Sequence, residues 1–270
     1  MLKEVSELKI SVLSENTTNV DGIFPEHGLS LLIETEEKHI LFDAGQSGLF
    51  VDNAICMGID LGRVDIAVLS HGHYDHSGGF NKFLEINKKA KIYVNENAFK
   101  DYYNGTEKYI GIDDELKTSN RLVVTGDEYV IDTNLKLFTE NNENREFLSN
   151  SDGLNIKEGN CFCQDNFNHE HYLEIFENGK KYLFSSCSHK GVLNIEKWFQ
   201  PDYFIGGFHI SKLNPDTDDK HILDNIANEL LNYSTRYYTG HCTGVDQYKY
   251  LKSIMGDKLE YISAGRTLNL

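Results

Sequence analysis

The sequence predicts an α/β fold in which two β-sheets pack face to face with helices on the outside. Strand-like segments open each half of the chain and strand–helix alternation follows, an order that suits layered sheets. The 270 residues are 40% hydrophobic and 25% charged, enough to bury a sizeable core without disulfides or a structural metal. No low-complexity tract, Pro/Ser-rich linker or short repeat divides the chain, so a single domain over residues 1–270 is expected.

In order, LKISVLS, GLSLLIETE and KHILFDAG read as strands, the last two joined by a short charged turn that suggests a hairpin. SGLFVDNAICMGI fits an amphipathic helix, and RVDIAVLSH, short and rich in β-branched residues, a buried strand. A Gly78-Gly79 turn leads into a helix at FNKFLEINKKA, and KIYVNENAF returns to a strand. Residues 100–168 are rich in Asn, Asp and Glu, with strand candidates at RLVVTGDEYVI and LKLFTE; a lid or insertion is expected there. Beyond it, YLEIFENGKKYLFSSCSH reads as two strands around a turn. A helix (GVLNIEKWF), a strand (DYFIGGFHI), a long helix (KHILDNIANELLNYS), a strand (TRYYTGH) and a helix (VDQYKYLKSIM) follow.

The formal net charge of −16 opposes generic binding to nucleic acid or to an anionic membrane, but leaves room for a small anionic substrate at a metal-bearing pocket. No stretch approaches the ~20 apolar residues of a membrane span. The charged N-terminal segment lacks a signal-peptide core, so a cytoplasmic location is expected. Five cysteines without regular spacing do not form a disulfide framework, and Cys161 and Cys163 read as two ordinary thiols. The sequence leaves the oligomeric state open.

Residues 70–79 read Ser-His-Gly-His-Tyr-Asp-His-Ser-Gly-Gly, directly after a buried strand. Imidazole and carboxylate suit divalent zinc, iron or manganese. Side-chain alternation in an extended segment puts His71 and His73 on one side, able to share a metal, while Asp75 and His76 can face a second one. Gly72 is expected to leave space between the imidazoles, and Gly78 and Gly79 to allow a tight turn.

H-x-H-x-D-H after an apolar strand resembles the signature of the metallo-β-lactamase fold superfamily. With EHGLSLLIE, CSHKGVLNI, GGFHI and HCTG it resembles a branch that includes 7,8-dihydropterin-6-methyl-4-(β-D-ribofuranosyl)-aminobenzene-5′-phosphate synthases and metal-dependent hydrolases. The resemblance implies a four-layered αββα sandwich with two divalent metal ions, zinc first, at one edge of the sheets. His241 matches the last metal-binding histidine, and His189 is a further ligand. Asp43 supports the metal site, orienting an imidazole. Where the superfamily's common pattern has a bridging aspartate, this chain has Cys187, Ser188 and His189, so the bridging ligand stays open. Cys187 is either a thiolate ligand or a buried strand cysteine. His209 and His27 are expected near the pocket as proton donors or substrate contacts. His169 and His171 lie roughly where a third metal histidine would come, and His39 and His221 are expected to face solvent.

The expected function is a binuclear metal-dependent hydrolase using a metal-bound hydroxide on a small ester, phosphoester or related substrate, with Asp75 helping to orient the nucleophile. The alternatives are a synthase-type transferase and a non-catalytic, metal-binding ligand sensor.

Overall fold

The computed structural model describes residues 7–270. The first part runs β1 (Lys9–Ser14), β2 (Ser30–Glu34), β3 (His39–Phe42), α1 (Leu49–Cys56), β4 (Ile66–Val68), α2 (Tyr74–Ser77), α3 (Phe80–Ile86) and β5 (Lys91–Asn95). The middle holds β6 (Asp101–Asn104), β7 (Lys108–Tyr109), α4 (Asp114–Lys117), β8 (Leu122–Thr125), β9 (Glu128–Val130), β10 (Leu135–Phe138), β11 (Leu154–Glu158) and β12 (Cys161–Gln164). The last part is β13 (Tyr172–Glu177), β14 (Lys180–Phe184), α5 (Val192–Phe199), β15 (Tyr203–Ile205), α6 (Lys220–Leu231), β16 (Arg236–Thr239), α7 (Val245–Met255), β17 (Leu259–Tyr261) and β18 (Thr267–Asn269).

Two seven-stranded sheets result, ordered β18-β1-β2-β3-β4-β5-β8 and β17-β16-β15-β14-β13-β10-β9. Period-two alternation makes the layers. Ile40 and Phe42 of β3 enter a central cluster with Leu173, Phe184 and Ile205 of the other sheet, where the Phe42 and Phe184 rings lie 5.8 Å apart. Leu41, between them, faces the opposite way, onto Phe50, Ala54, Phe80 and Phe83 of α1 and α3. On the far side, Leu183, Phe204 and Tyr237 meet Ile195, Leu223 and Leu251 of α5, α6 and α7. The order of layers is therefore helix, sheet, sheet, helix, the αββα sandwich. β18 pairs antiparallel with β1, so the end of the chain closes the first sheet.

β3, β4, β5 and β8 are parallel, as are β14 through β17. The loops after β3, β4, β14, β15 and β16 therefore leave C-terminal strand ends, where α/β sheets commonly build sites.

Two expectations need correction. Residues 121–131 do not form one strand: β8 edges the first sheet and β9 the second, so the chain changes sheet between them. The strand expected through residue 210 stops at Ile205, because Gly206 takes φ +141° against the Ser185 carbonyl, where a Cβ would sit 1.8 Å away. Residues 100–168, where a lid or insertion with strand candidates is expected, contribute strands to all three sheets. β8, β9 and β10 extend the main sheets, while β12, β11, β6 and β7 form a separate four-stranded sheet over Tyr102, Ile110, Leu154 and Phe167.

Candidate metal centre

Asp43 follows β3 in the left-handed backbone region (φ 58°), fully buried. Its Oδ1 accepts the Ser70 amide at 2.7 Å, and its Oδ2 accepts the Ser70 hydroxyl at 2.7 Å and the Ser186 hydroxyl at 2.6 Å. The same Oδ2 lies 2.8 Å from His76 Nδ1. Because the Ser70 proton goes to Asp43, Ser70 Oγ is left to accept from His71 Nδ1, 2.7 Å away. His71 and His76 thus have their Nδ1 atoms tied down and present Nε2 inward. That is the arrangement in which a carboxylate orients metal-ligating imidazoles.

His71, His73 and His189 converge, with ligand atoms within 4.8 Å of one another. His71 Nε2 and His189 Nε2 stand 3.3 Å apart, and His73 Nε2 is buried without a partner. Burial, together with the neighbouring histidines, holds His71 and His189 well below the usual imidazole range. Burial and His169 bring His73 down to about 3. All three are therefore neutral lone-pair donors at pH 7. The His189 amide donates to Glu170 Oε1 at 2.6 Å, which pins the turn after β14.

Asp75 gathers a second group. Its Oδ2 is 3.2 Å from His27 Nε2, 3.5 Å from His76 Nε2 and 3.5 Å from His241 Nε2. Burial disfavours its charge, but His76, His241 and His27 hold the carboxyl well below the usual carboxylate range. Burial likewise opposes charge on His76, and Asp75 and Asp43 outweigh it, lifting its pKa to about 10 in the metal-free protein, so a metal bound at Nε2 would have to displace that proton. His241 Nδ1 meets Asn16 Oδ1 at 2.8 Å, and the His241 amide donates to Glu15 Oε1 at 2.6 Å.

Cys187 lies between the groups: its Sγ is 3.3 Å from His76 Nε2 and also clusters with His71. Burial, with Cys242 beside it, pushes its thiol well up. Cys187, Cys242 and His209 form a further close group, and His209 Nδ1 is buried without a partner. Asp43, Ser188, His209 and His241 all have φ between 50° and 58°, each just after a strand. Strained backbone at four converging strand ends is what a site that aims side chains inward requires.

The structure brings His71, His73, Asp75, His76, His189 and His241 together, with His27 and His209 on the same cleft of about 320 Å³. His169 and His171 are both buried, and His169 converges with His73 and Asp165 in a further group able to hold a metal. His169 Nδ1 accepts the Gly72 amide at 2.8 Å and its Nε2 lies 3.0 Å from Asp165 Oδ2, so both nitrogens are engaged. His171 Nε2 sits 3.0 Å from Thr125 Oγ1. His221 is exposed, but His39 is half-buried beside Glu34 and Asp65. Gly72 admits the backbone of a neighbouring turn rather than separating imidazoles: its Cβ would meet the Ala98 carbonyl at 2.4 Å. Gly78 is helical in φ and likewise makes room for a carbonyl, that of Gln46.

Sequence reasoning missed Asn16, Glu15, Glu170 and Ser186. Each acts through a fold-made contact 19 or more residues away in sequence, from a position without motif spacing. Ser70, adjacent to the motif, was the one supporting residue that proximity could have flagged. The donor set fits a divalent metal, since the neutral imidazoles of His71 and His189 face each other and the buried His73 Nε2 beside them has no partner.

Residues 23–141 match the model of the metallo-beta-lactamase superfamily. The uncharacterized protein MJ0448 of Methanocaldococcus jannaschii is 31% identical over 253 residues, covering 87% of this chain and 90% of its own. The chain belongs to the metallo-β-lactamase superfamily. A second protein of that organism, named 7,8-dihydropterin-6-methyl-4-(beta-D-ribofuranosyl)-aminobenzene-5'-phosphate synthase, is 29% identical over 292 aligned positions, covering 98% of this chain and 97% of its own. Among solved structures, Tm1679, described as a metal-dependent hydrolase of the beta-lactamase superfamily, aligns with a TM-score of 0.80 at 26% identity. That alignment covers 97% of this chain and 99% of Tm1679. Membership supports an enzyme of a superfamily that generally binds divalent metals. No helix of the described residues is long and apolar enough to cross a membrane.

Proposed function

We propose that the protein is a binuclear metal-dependent hydrolase acting on a small ester, phosphoester or related substrate. The observation that carries this reading is a pair of neighbouring donor groups whose members His73, His189, Asp75 and His241 line one cleft: His71, His73 and His189 would hold one ion, and Asp75 with His241 and either His76 behind it or His27 beside it the other. Divalent ions there supply Lewis acidity toward the scissile group and a nucleophile from water at neutral pH. Zinc is expected first; iron and manganese accept the same donors.

The chain's own residues do the rest. Asp43 and Ser70 fix the imidazole tautomers. Cys187 occupies the space between the two groups that a bridging side chain would fill. His209 and His27 border the cleft and are placed to hand a proton to a leaving-group oxygen. The five free thiols suit a reducing compartment such as the cytoplasm.

The test is elemental analysis with turnover on a phosphodiester, ester and lactone panel. His71→Ala/His73→Ala should lose bound metal and activity together; stoichiometric metal in that variant would sink the assignment. The relative named as a synthase favours a second reading, transfer onto an aromatic amine. Product analysis with an anionic sugar donor and an aromatic amine separates the two.

A further inference from the structure

We infer that Lys108 and Lys212 form an anion-binding subsite at the mouth of the metal cleft, selecting substrates that carry a phosphate monoester remote from the bond broken. This rests on the cleft being the reaction site.

The chain is strongly acidic, with 42 Asp and Glu against 26 Lys and Arg. Yet the carboxylate lining this cleft is Asp75, already committed to the histidine cluster, while Lys108 and Lys212 both line it. The two arrive from unrelated elements: Lys108 from β7 of the four-stranded sheet, Lys212 from the loop that follows β15 and carries His209. Neither pairs with a carboxylate. Lys108 Nζ donates to Tyr74 Oη at 3.1 Å and lies 4.8 Å from the centre of that ring. Lys212 Nζ reaches the Asp152 carbonyl at 3.4 Å. Among the described residues no carboxylate occupies either Nζ, which leaves both open to an anionic ligand.

Two cations match a phosphate dianion, and they can concentrate an anionic substrate against the repulsive field of the whole chain. Tyr74, Ile110 and Leu154 also line the cleft and give it apolar surface. The complementary molecule has a phosphate at one end, an apolar middle and the reacting group at the other. Tyr74 stands between His73 and Asp75 in the chain, so Lys108 leans on the metal-ligand segment itself.

The first measurement uses phenylphosphonate, which cannot be hydrolysed at its C–P bond, titrated calorimetrically into metal-loaded protein. Lys108→Ala/Lys212→Ala should weaken it about tenfold or more, Lys108→Arg/Lys212→Arg far less, and rising salt should erode the wild-type affinity. Equal affinity in wild type and the alanine variant, with equal metal content, overturns the subsite. The second uses a matched pair of esters, one bearing a remote phosphate and one a hydroxyl in its place. Wild type should favour the phosphate ester through KM, and the alanine variant should bring the ratio toward unity. Lysine-dependent phosphonate binding without turnover of either ester keeps the subsite and discards the hydrolase reading. Turnover of both esters with no lysine-dependent preference discards the subsite and keeps the hydrolase.

Discussion

Asp43 faces away from the space between the donor groups, yet it sets the direction of two imidazoles, His76 directly and His71 through Ser70. Asp43→Asn keeps the shape but replaces one acceptor oxygen by a donor, which cannot take the His76 Nδ1 proton and so no longer holds Nε2 free for a metal. Metal affinity should fall about 10–100-fold while the fold survives, read by competition with a chelating dye. Affinity within twofold of wild type would remove Asp43 from this role. His73 gives a pH signature of the metal-free protein. Its folded pKa is about 3 against 6.5 for a free imidazole. Between those values the unfolded chain holds a proton that the folded chain does not, so this group destabilises the fold as pH falls through that window. His73→Gln should flatten the acid limb of stability against pH, as measured by urea denaturation at each pH. An unchanged slope would show that His73 is not the group responsible.

The strands do the aiming. β3, β4, β14, β15 and β16 each end within a few residues of a site side chain, and four of the turns that follow contain a non-glycine residue at positive φ. Gly206 is the tightest of these crossings, and Gly206→Ala should cost at least about 1–3 kcal/mol and displace His209, lowering both the denaturation midpoint and metal affinity. Gly126→Ala, where a Cβ would meet nothing within 4 Å, is the control and should do neither. The strand ends also explain what could be read in advance. The H-x-H-x-D-H run is local, so spacing alone singles out His71, His73, Asp75 and His76 as candidates, and the fold brings them together. His189 and His241 came through resemblance, being single histidines after apolar strands. Asn16, Glu170 and Ser186 act only because two distant turns meet, and no periodicity encodes that meeting. The two main sheets were legible because their apolar residues alternate. The 121–131 segment was misread because a change of sheet leaves the β-pattern intact on both sides of the break.

The molecule as a whole carries a cost that a bound metal would offset. Seven of its eleven histidines are buried. Two facing nitrogens sit 3.3 Å apart and a third, on His73, has no partner, an arrangement that disfavours folding unless something binds there. A ligand that binds only the folded chain adds about 4 kcal/mol when present at 1,000 times its Kd. For a chain of this size that corresponds to a rise in Tm on the order of 10 °C. Chelation should therefore lower Tm by a similar amount, and restoring zinc should recover it. The loss should not be uniform. The central cluster between the sheets contains none of the donor residues, so its strands should keep their hydrogen-exchange protection. Residues 71–79, 186–190 and 241–244, which hold the donors on strand-end turns, should exchange faster without metal. A chelated protein with unchanged Tm and unchanged exchange in those three segments would mean that the histidine cluster is a self-sufficient buried network. In that case the metal-centred reading of the cleft would fall with it.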